Sequence, residues 1–362
     1  MSGQGHARIA VLGATGVSGG FAFDQAETRG LTPLAIGRNP HKLEAFLKNR
    51  GMDPSRMRVA DVHDQAALHA ALDGVNAVIS TVAPFTTNGF AVAAAAAALG
   101  LAYTDSSGEG AFVQRVAREL DPVALRTGAT LCTGNGAAAF LGDIAIRWLI
   151  DDHPASEGGV LYDIRGYQPT FGTLRSYLTS IMPTGGALIR EGKLRFASFG
   201  AFNGHVAGVA GIHSVLPDAL VVSRYWQPRT FDALFKMSPA LRPVVAAATG
   251  LLTWPPMLRL LMRLPLERWV PYDAARPDRA SVTAFAEVRS GSGAVRRRAV
   301  TGATVYPLTG AVLAATAQAM MSRTKRPVGV RAASEMFMSF EEALSLSGAT
   351  EISVPAIKER DP

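Results

Sequence analysis

Short apolar runs alternate with segments of helical spacing through about residue 150. Arg8–Leu12, Leu34–Ile36, Met57–Ala60, Ala77–Thr81, Leu101–Thr104 and Thr130–Cys132 read as strands. Between them, Gly16–Arg29, Pro40–Arg50, Asp64–Leu72, Gly89–Leu99 and Ala111–Arg126 read as helices. Strand and helix in strict alternation predict an α/β fold, an N-terminal doubly wound parallel sheet of the Rossmann kind built from βαβ crossovers. After about residue 151 the pattern changes to strands rich in β-branched residues with longer connections: Val160–Tyr167, Leu194–Phe199, Ala219–Tyr225, Ser281–Ser290 and Ala294–Val305. These predict a second, α+β domain on a mostly antiparallel sheet, with Arg289–Gly293 as a hairpin turn. Thr309–Ser322 reads as a return helix, whose apolar Val312, Ala315 and Ala319 suit burial against the first domain. The expected domains are therefore 1–150 and 151–362, the second carrying an apolar helical insertion at about 240–270.

Two stretches test for a membrane span. Val75–Thr104 carries no charge, but Pro84, Asn88 and two glycines break it into strand, loop and helix, and the alanine run Ala93–Ala98 suits close packing on a sheet. Val244–Leu258 is interrupted by Pro255-Pro256. Neither predicts a span.

The junction of the first strand and first helix carries the strongest chemical signal. Gly13-Ala14-Thr15-Gly16-Val17-Ser18-Gly19 has glycines spaced G-x-x-G-x-x-G. Such glycines permit a tight turn, close approach of backbone to a pyrophosphate and tight helix–strand packing, while the helix N-terminus offers N–H groups to the anion. The expectation is a nucleotide cofactor, held by Gly13, Thr15, Gly16, Val17, Ser18 and Gly19.

The second strand narrows the cofactor. Where an NAD enzyme places a carboxylate for the ribose 2′-hydroxyl, this chain has Gly37-Arg38-Asn39-Pro40-His41-Lys42. Arg38 can stack on adenine and pair with a 2′-phosphate, with Lys42 as a second cation, so NADP(H) is expected. Asp61 and Val62 follow the third strand, where a carboxylate can accept from the adenine amino group. Thr81, Ala83 and Pro84 follow the fourth, where the backbone passes the cofactor.

Composition sharpens this reading. The chain has 362 residues, of which 48% are hydrophobic and 18% charged, and this is material for two ordered domains. The single cysteine, Cys132, excludes internal disulfides and a cysteine-cluster zinc site and fits a reducing cytosol. Met1–Arg8 lacks the apolar core of a signal peptide, so a cytoplasmic protein is expected. A formal charge of +7 favours anionic partners. No nucleic-acid partner is expected, since basic residues are dispersed and Arg296-Arg297-Arg298 reads as a solvated edge. The seven scattered histidines give no metal-ligand spacing, and no metal is expected.

Four stretches carry a family resemblance: Val11–Gly19, Ser80–Phe85, Tyr103–Glu109 and Gly302–Tyr306 ahead of an alanine-rich helix. With Phe171-Gly-Thr-Leu-Arg-Ser176, the chain resembles saccharopine dehydrogenase-like oxidoreductases, in particular the branch containing trans-acting enoyl reductases. The resemblance covers nearly the whole chain and is strongest before Ile150. Ala83 stands where the family usually has glycine, and Asn135-Gly-Ala-Ala replaces an acidic, proline-containing turn. The resemblance implies reduction or formation of C=N bonds, reduction of C=C bonds in lipids or polyketides, or no assigned activity.

The residues also exclude one mechanism. None of the seven tyrosines is followed by lysine four residues on, as the short-chain dehydrogenase proton relay requires. Enoyl reduction needs hydrogen-bond donors for charge developing on the substrate and then a proton. Candidates at strand ends are Tyr103, Asp105, Glu109 and Asn135, although Asp105–Glu109 equally resembles a helix-capping segment. From the second domain, Tyr167, Thr173, Arg175, Tyr177 and His213 could reach across a cleft, and Tyr177 lies four residues after Thr173, on one face of a helix. The catalytic set predicted is Tyr103, Asp105, Asn135 and Tyr177.

Leu251–Trp269 combines leucines and methionines with Arg259 and Arg263 four apart. It suits a greasy substrate lid, a peripheral membrane contact, an acidic carrier protein, or plain packing as an inserted hairpin. The reading reached is an NADPH-dependent reductase of a C=C bond in a lipophilic polyketide or lipid, free or carrier-bound, in a chain that could form a homodimer. A saccharopine-type C=N reductase and a non-catalytic, lipid-associated NADP-binding protein are the alternatives.

Overall fold

The computed structural model describes residues 7–151, 155–181, 184–264 and 280–354. The chain divides into two compact units. The first comprises Met1–Ser107, Ala111–Ala137 and Tyr306–Met338, and the second Gly108–Gly110, Ala138–Val305 and Ser339–Pro362.

The first unit holds the parallel sheet. Its strands are β1 (Arg8–Leu12), β2 (Thr32–Gly37), β3 (Met57–Val59), β4 (Ala77–Ser80), β5 (Ala102–Asp105) and β6 (Thr130–Cys132), with Gly329–Val330 as a seventh beside β6. Their spatial order, β6-β5-β4-β1-β2-β3, reverses direction between β1 and β4, the switch point at which nucleotides bind in open α/β sheets. Register sets Leu12 beside both Ile36 and Ser80, so three strand ends come level there. The helices Val17–Thr28, Pro40–Lys48, Gln65–Ala71, Phe90–Ala98 and Gly110–Thr127 fill the crossovers.

The late helix, Val305–Ser322, is buried along most of its length, including Val312, Ala315 and Ala319. It comes so close to the first helix that a Cβ on Gly310 would lie 2.6 Å from the Phe21 carbonyl carbon. Only glycine permits that approach.

The second unit is built on a larger sheet. Its strands are β7 (Ala155–Arg165), β8 (Gly186–Arg190), β9 (Lys193–Ala197), β10 (Asn203–Val206), β11 (Val209–His213), β12 (Thr230–Lys236), β13 (Ser281–Ser290) and β14 (Val295–Ala303). They stand in the order β10-β11-β12-β7-β13-β14, extended by Thr350–Ile352, and β8 pairs with β9 and β12. Only the β12–β7 pair runs parallel among the described residues. Two hairpins close on an X-Gly turn with both residues at positive φ: Glu191-Gly192 (53° and 71°) and Ala207-Gly208 (50° and 75°). Those angles match the twist of antiparallel strands. One apolar cluster of this unit gathers Leu161, Val206, Ala207, Leu234, Phe285 and Ala299.

Two expectations are corrected here. Ala219–Tyr225 is not a strand: Asp218–Val222 forms a helix, buried on all sides. A short continuous apolar run has no period to separate a core strand from a buried helical turn, and Pro217 before it opens the helix. Arg296-Arg297-Arg298 is not simply solvated, because Arg297 pairs with Glu287, Arg298 pairs with Glu351, and the Arg298 guanidinium lies 4.2 Å from the Phe340 ring centre. Of the expected insertion at about 240–270, residues 265–270 lie outside the described residues. The part described forms the helices Arg242–Thr253 and Pro255–Arg263. Among the described residues no single helix is long and apolar enough to cross a membrane, and the runs Pro239–Thr253 and Pro255–Leu261 are bent by 78° at their junction.

A buried polar pair lies in the second unit. The Tyr162 hydroxyl donates to Asp218 Oδ1, and Gly142 makes room for it, since a Cβ there would lie 2.1 Å from the Tyr162 oxygen. Burial pushes the Asp218 carboxyl up from 3.8 to about 7. A carboxyl whose pKa is raised by folding binds its proton more tightly in the native state. Its stabilisation is therefore complete below about pH 4 and lost as pH rises through about 7. Thermal unfolding of wild type should lose stability from pH 4 to 8 relative to Asp218→Asn, which keeps an acceptor for Tyr162 but cannot ionise. Parallel pH profiles for the two proteins would show that Asp218 is charged in the native state.

Candidate functional site

The site begins where β1 ends. The chain turns at Gly13, φ +82°, whose N–H donates to Ile36 O at 3.1 Å, and Gly16 N–H donates back to Gly13 O at 2.9 Å. Gly16 is extended and precedes the Val17–Thr28 helix with no side chain capping it. The helix therefore begins without the Ser, Thr, Asp or Asn oxygen that would satisfy its first N–H groups. Thr15 and Gly16 are exposed or nearly so at this turn, and Val17 and Ser18 are half-buried.

Gly13 and Gly19 are constrained by contact. A Cβ on Gly19 would lie 2.1 Å from Gly13 O and 2.8 Å from Thr81 Oγ1, and one on Gly13 would lie 2.7 Å from the same hydroxyl. Thr81, after β4, donates its backbone N–H to Leu12 O at 3.0 Å and its hydroxyl to the same oxygen at 3.1 Å. Thr81 thus clamps the loop from the neighbouring strand. This arrangement fits a dinucleotide pyrophosphate: a backbone turn without side chains, leading into an uncapped helix N-terminus.

Arg38 and Lys42 are both exposed after β2, and neither is ion-paired among the described residues. Asn39 caps the Pro40–Lys48 helix by accepting from Lys42 N–H at 3.0 Å. No acid lies in the first turn of that helix. Two unpaired cations beside the positive end of a helix repel it, which an anion would relieve.

After β3, Asp61 is exposed and its carboxylate accepts from His63 N–H at 2.9 Å, while Val62 is half-buried. His63 Nε2 lies 3.2 Å from Asn88 Oδ1, and Asn88 Nδ2 donates to Ala83 O at 3.2 Å. This chain ties the loop after β3 to the Ala83-Pro84 loop after β4. Sequence reasoning passes over His63 and Asn88, since nothing in their spacing marks them as partners.

Tyr103, Asp105 and Asn135 come together at the ends of β5 and β6, all buried. Asp105 Oδ1 accepts from Ser107 N–H at 2.9 Å and Gly134 N–H at 3.1 Å, and Asp105 O accepts from Asn135 N–H at 2.9 Å. The carboxylate binds the two strand-end loops together. Asn135 Nδ2 donates to Thr104 Oγ1 and Thr316 Oγ1, each at 3.0 Å, which uses both of its donors. Among the described residues its Oδ1 is buried without a hydrogen bond. Burial, and then the charge of Asp105, holds the Tyr103 phenol well above its ordinary pKa, so it stays neutral.

Tyr177 belongs to the second unit. Thr170 caps the short Phe171–Ser176 helix, accepting from Thr173 N–H at 3.3 Å. Tyr177 stays right-handed helical and donates its backbone N–H to Thr173 O, so the two lie one helical turn apart as expected, and a wider π-type turn, Tyr177–Ile181, follows. Glu109, in the same unit, accepts from Ser176 Oγ at 2.8 Å. His213 is fully buried and stacked 4.7 Å from Phe202, and burial pushes its pKa down, as for a neutral core histidine.

Comparison with known proteins agrees with this geometry. Residues 13–103 match a family model described as NAD(P)H-binding. The chain is 28% identical over 195 residues to a lipid droplet localized protein of Caenorhabditis elegans, covering 49% of this chain and 45% of the relative. It is 31% identical over 153 residues to a trans-acting enoyl reductase of Mycobacterium ulcerans (strain Agy99), covering 41% of this chain and 36% of the relative. The matches thus span less than half of either curated relative. Apo saccharopine dehydrogenase (L-Glu forming) of Saccharomyces cerevisiae aligns with a TM-score of 0.61 at 14% identity, over 96% of this chain and all of that one, and shares the fold.

The contact at Gly19 makes a direct prediction. Gly19→Ala should lower stability by roughly 1–3 kcal/mol, the usual cost of forcing an atom into a filled site, and weaken NAD(P)H binding strongly. Thermal unfolding and a fluorescence titration with NADPH measure both; unchanged binding would show that the turn does not hold the cofactor.

Proposed function

Starting from a chain with an NAD(P)H-binding domain and a saccharopine dehydrogenase-like fold, we propose that it is an NADPH-dependent reductase of a conjugated C=C bond in a lipophilic polyketide or lipid substrate, free or carrier-bound. The observation that carries the cofactor choice is the exposed, unpaired Arg38–Lys42 pair after β2, where no carboxylate stands to receive a ribose 2′-hydroxyl. The C=C assignment is supported by the likeness to the trans-acting enoyl reductase.

The residues divide the work as follows. Gly13, Thr15, Gly16, Val17, Ser18 and Gly19 hold the pyrophosphate through backbone N–H groups, and Arg38 and Lys42 hold the 2′-phosphate. Asp61 and Val62 border the adenine, and Thr81, Ala83 and Pro84 line the nicotinamide side. When bound, the cofactor supplies the hydride. Asp105 and Asn135 act as positioning residues, because their polar atoms brace the loops after β5 and β6. Tyr103, neutral and buried, stands two residues before Asp105 on the same strand. Tyr177, half-buried in the second unit, carries a phenol chemically able to donate a hydrogen bond or a proton.

A second reading draws on the lipid droplet localized relative: a lipid-associated NADP-binding protein without turnover. Deuterium-labelled NADPH separates the two. Incubation with lipid extracts should give a product one mass unit heavier, labelled at a carbon of the former double bond. Binding without turnover would favour the second reading, and label on a carbon bonded to nitrogen would replace C=C with C=N reduction.

Arg38→Ala should raise the Kd for NADPH by about 10–100-fold, the range expected for loss of a charge-assisted contact, and leave NADH nearly unchanged. Equal loss for both dinucleotides would remove Arg38 from the 2′-phosphate site.

A further inference from the structure

The helices Arg242–Thr253 and Pro255–Arg263 carry a surface that the reductase reading does not use. Among the described residues, five of the eleven exposed large hydrophobic side chains fall between Leu241 and Leu260: Leu241, Val244, Leu251, Trp254 and Leu260. The first helix of the pair is apolar on two sides and buries only one. Val245, Thr249 and Leu252 recur at helical spacing on the inner side, where Thr249 is buried and a Cβ on Gly200 would lie 2.9 Å from Val245 Cγ1. One residue out of phase, Val244, Ala248 and Leu251 face outward, Val244 being 66% and Leu251 53% exposed. Trp254, 55% exposed, sits at the corner between the helices. A helix apolar on both sides is normally buried on both.

Charge selects the occupant. No acidic residue occurs between Met237 and Leu264, and Arg242, Arg259 and Arg263 are exposed and without an ion pair among the described residues. Apolar side chains interleaved with unpaired arginines, with a tryptophan between, match the interface of an anionic phospholipid layer. A protein partner would need about one hydrogen bond per 100–200 Å². The outward row of Val244, Ala247, Ala248, Gly250 and Leu251 has no polar side chain to make one, and lipid needs none.

Length decides how the pair lies. The two helices have 12 and 9 residues. At the rise of an α-helix they are about 18 Å and about 14 Å long. A hydrocarbon core is about 30 Å thick. The pair also bends by 78° at its junction. Neither helix alone reaches across that core, and a pair bent this far suits the plane of the interface. We infer that this helical pair is an interfacial anchor: Val244, Leu251, Trp254 and Leu260 enter the acyl boundary of an anionic phospholipid surface, and the arginines meet its phosphates. The inference stands on the second unit alone and holds with or without turnover at the dinucleotide site.

Co-sedimentation of the full chain with vesicles of phosphatidylcholine, with and without phosphatidylglycerol, tests it. Wild type should pellet with the phosphatidylglycerol vesicles and be released by salt. Leu251→Ser/Trp254→Ser should lower partitioning roughly tenfold or more. Arg259→Gln/Arg263→Gln should weaken binding to the anionic vesicles only. Quenching of tryptophan fluorescence by brominated lipid should fall in Trp254→Phe. NADPH binding and thermal unfolding should be unchanged in every variant, which separates this result from failure of the reductase reading. The anchor is overturned if wild type stays in the supernatant, or if Leu251→Ser/Trp254→Ser partitions like wild type. It is likewise overturned if the apolar pair matters only for self-association in lipid-free buffer, or for capture of an acidic carrier protein.

Discussion

The contact among Gly13, Gly19 and Thr81 is the constraint on which the first unit depends. The first helix approaches the end of β1 so closely that no Cβ fits at Gly19, while the Thr81 hydroxyl reaches in from β4 and holds the Leu12 carbonyl. One short-range steric limit thus joins β1, the first helix and β4 at the switch point of the sheet. The turn acquires its shape from backbone packing before any ligand is considered. A turn held by such contacts is preorganised, and a preorganised turn loses little entropy on binding.

Much of this unit is legible in the chain because its signals are local. Every strand from β1 to β6 lies within a few residues of its expected place, since βαβ units pair strands that follow one another in sequence. The same holds for Gly13, Gly16 and Gly19, whose conformations follow from a single turn. Contacts between distant loops are not legible in this way. His63 and Asn88 are 25 residues apart and share a hydrogen bond, and Asn135 donates to Thr316 across 181 residues. Neither residue type nor spacing announces such a pair. Asp105 lies in a run, Asp105–Glu109, that reads locally as a helix-capping segment, and nothing in that run announces that its carboxylate also joins two loops.

The second unit is less legible because its sheet is assembled from distant strands. β7 pairs with β12 and β13, more than sixty residues further on, and such non-local pairing leaves little trace in any short window of sequence. Its two X-Gly hairpins are readable signals that the longer connections obscure. Asp218–Val222 shows the limit of pattern: four apolar residues in a row specify burial without specifying a helix or a strand. The buried Tyr162–Asp218 pair and the outward apolar row of the Arg242–Thr253 helix are hidden for the same reason, since both depend on which side of an element faces inward.

Gly310 against Phe21 has a consequence for how the protein is made. The first helix emerges from the ribosome early, but the helix that covers it ends at Ser322, after the strands β7 to β14 of the second unit have been made. Until then the Phe21 and Ala22 side of the first helix lacks its native cover. The dinucleotide-binding half therefore starts first and is completed only after β7 to β14 of the second unit, whose own last segment, Ser339–Pro362, follows it. A nascent chain halted near residue 300 would carry the whole glycine turn and still lack a finished binding unit.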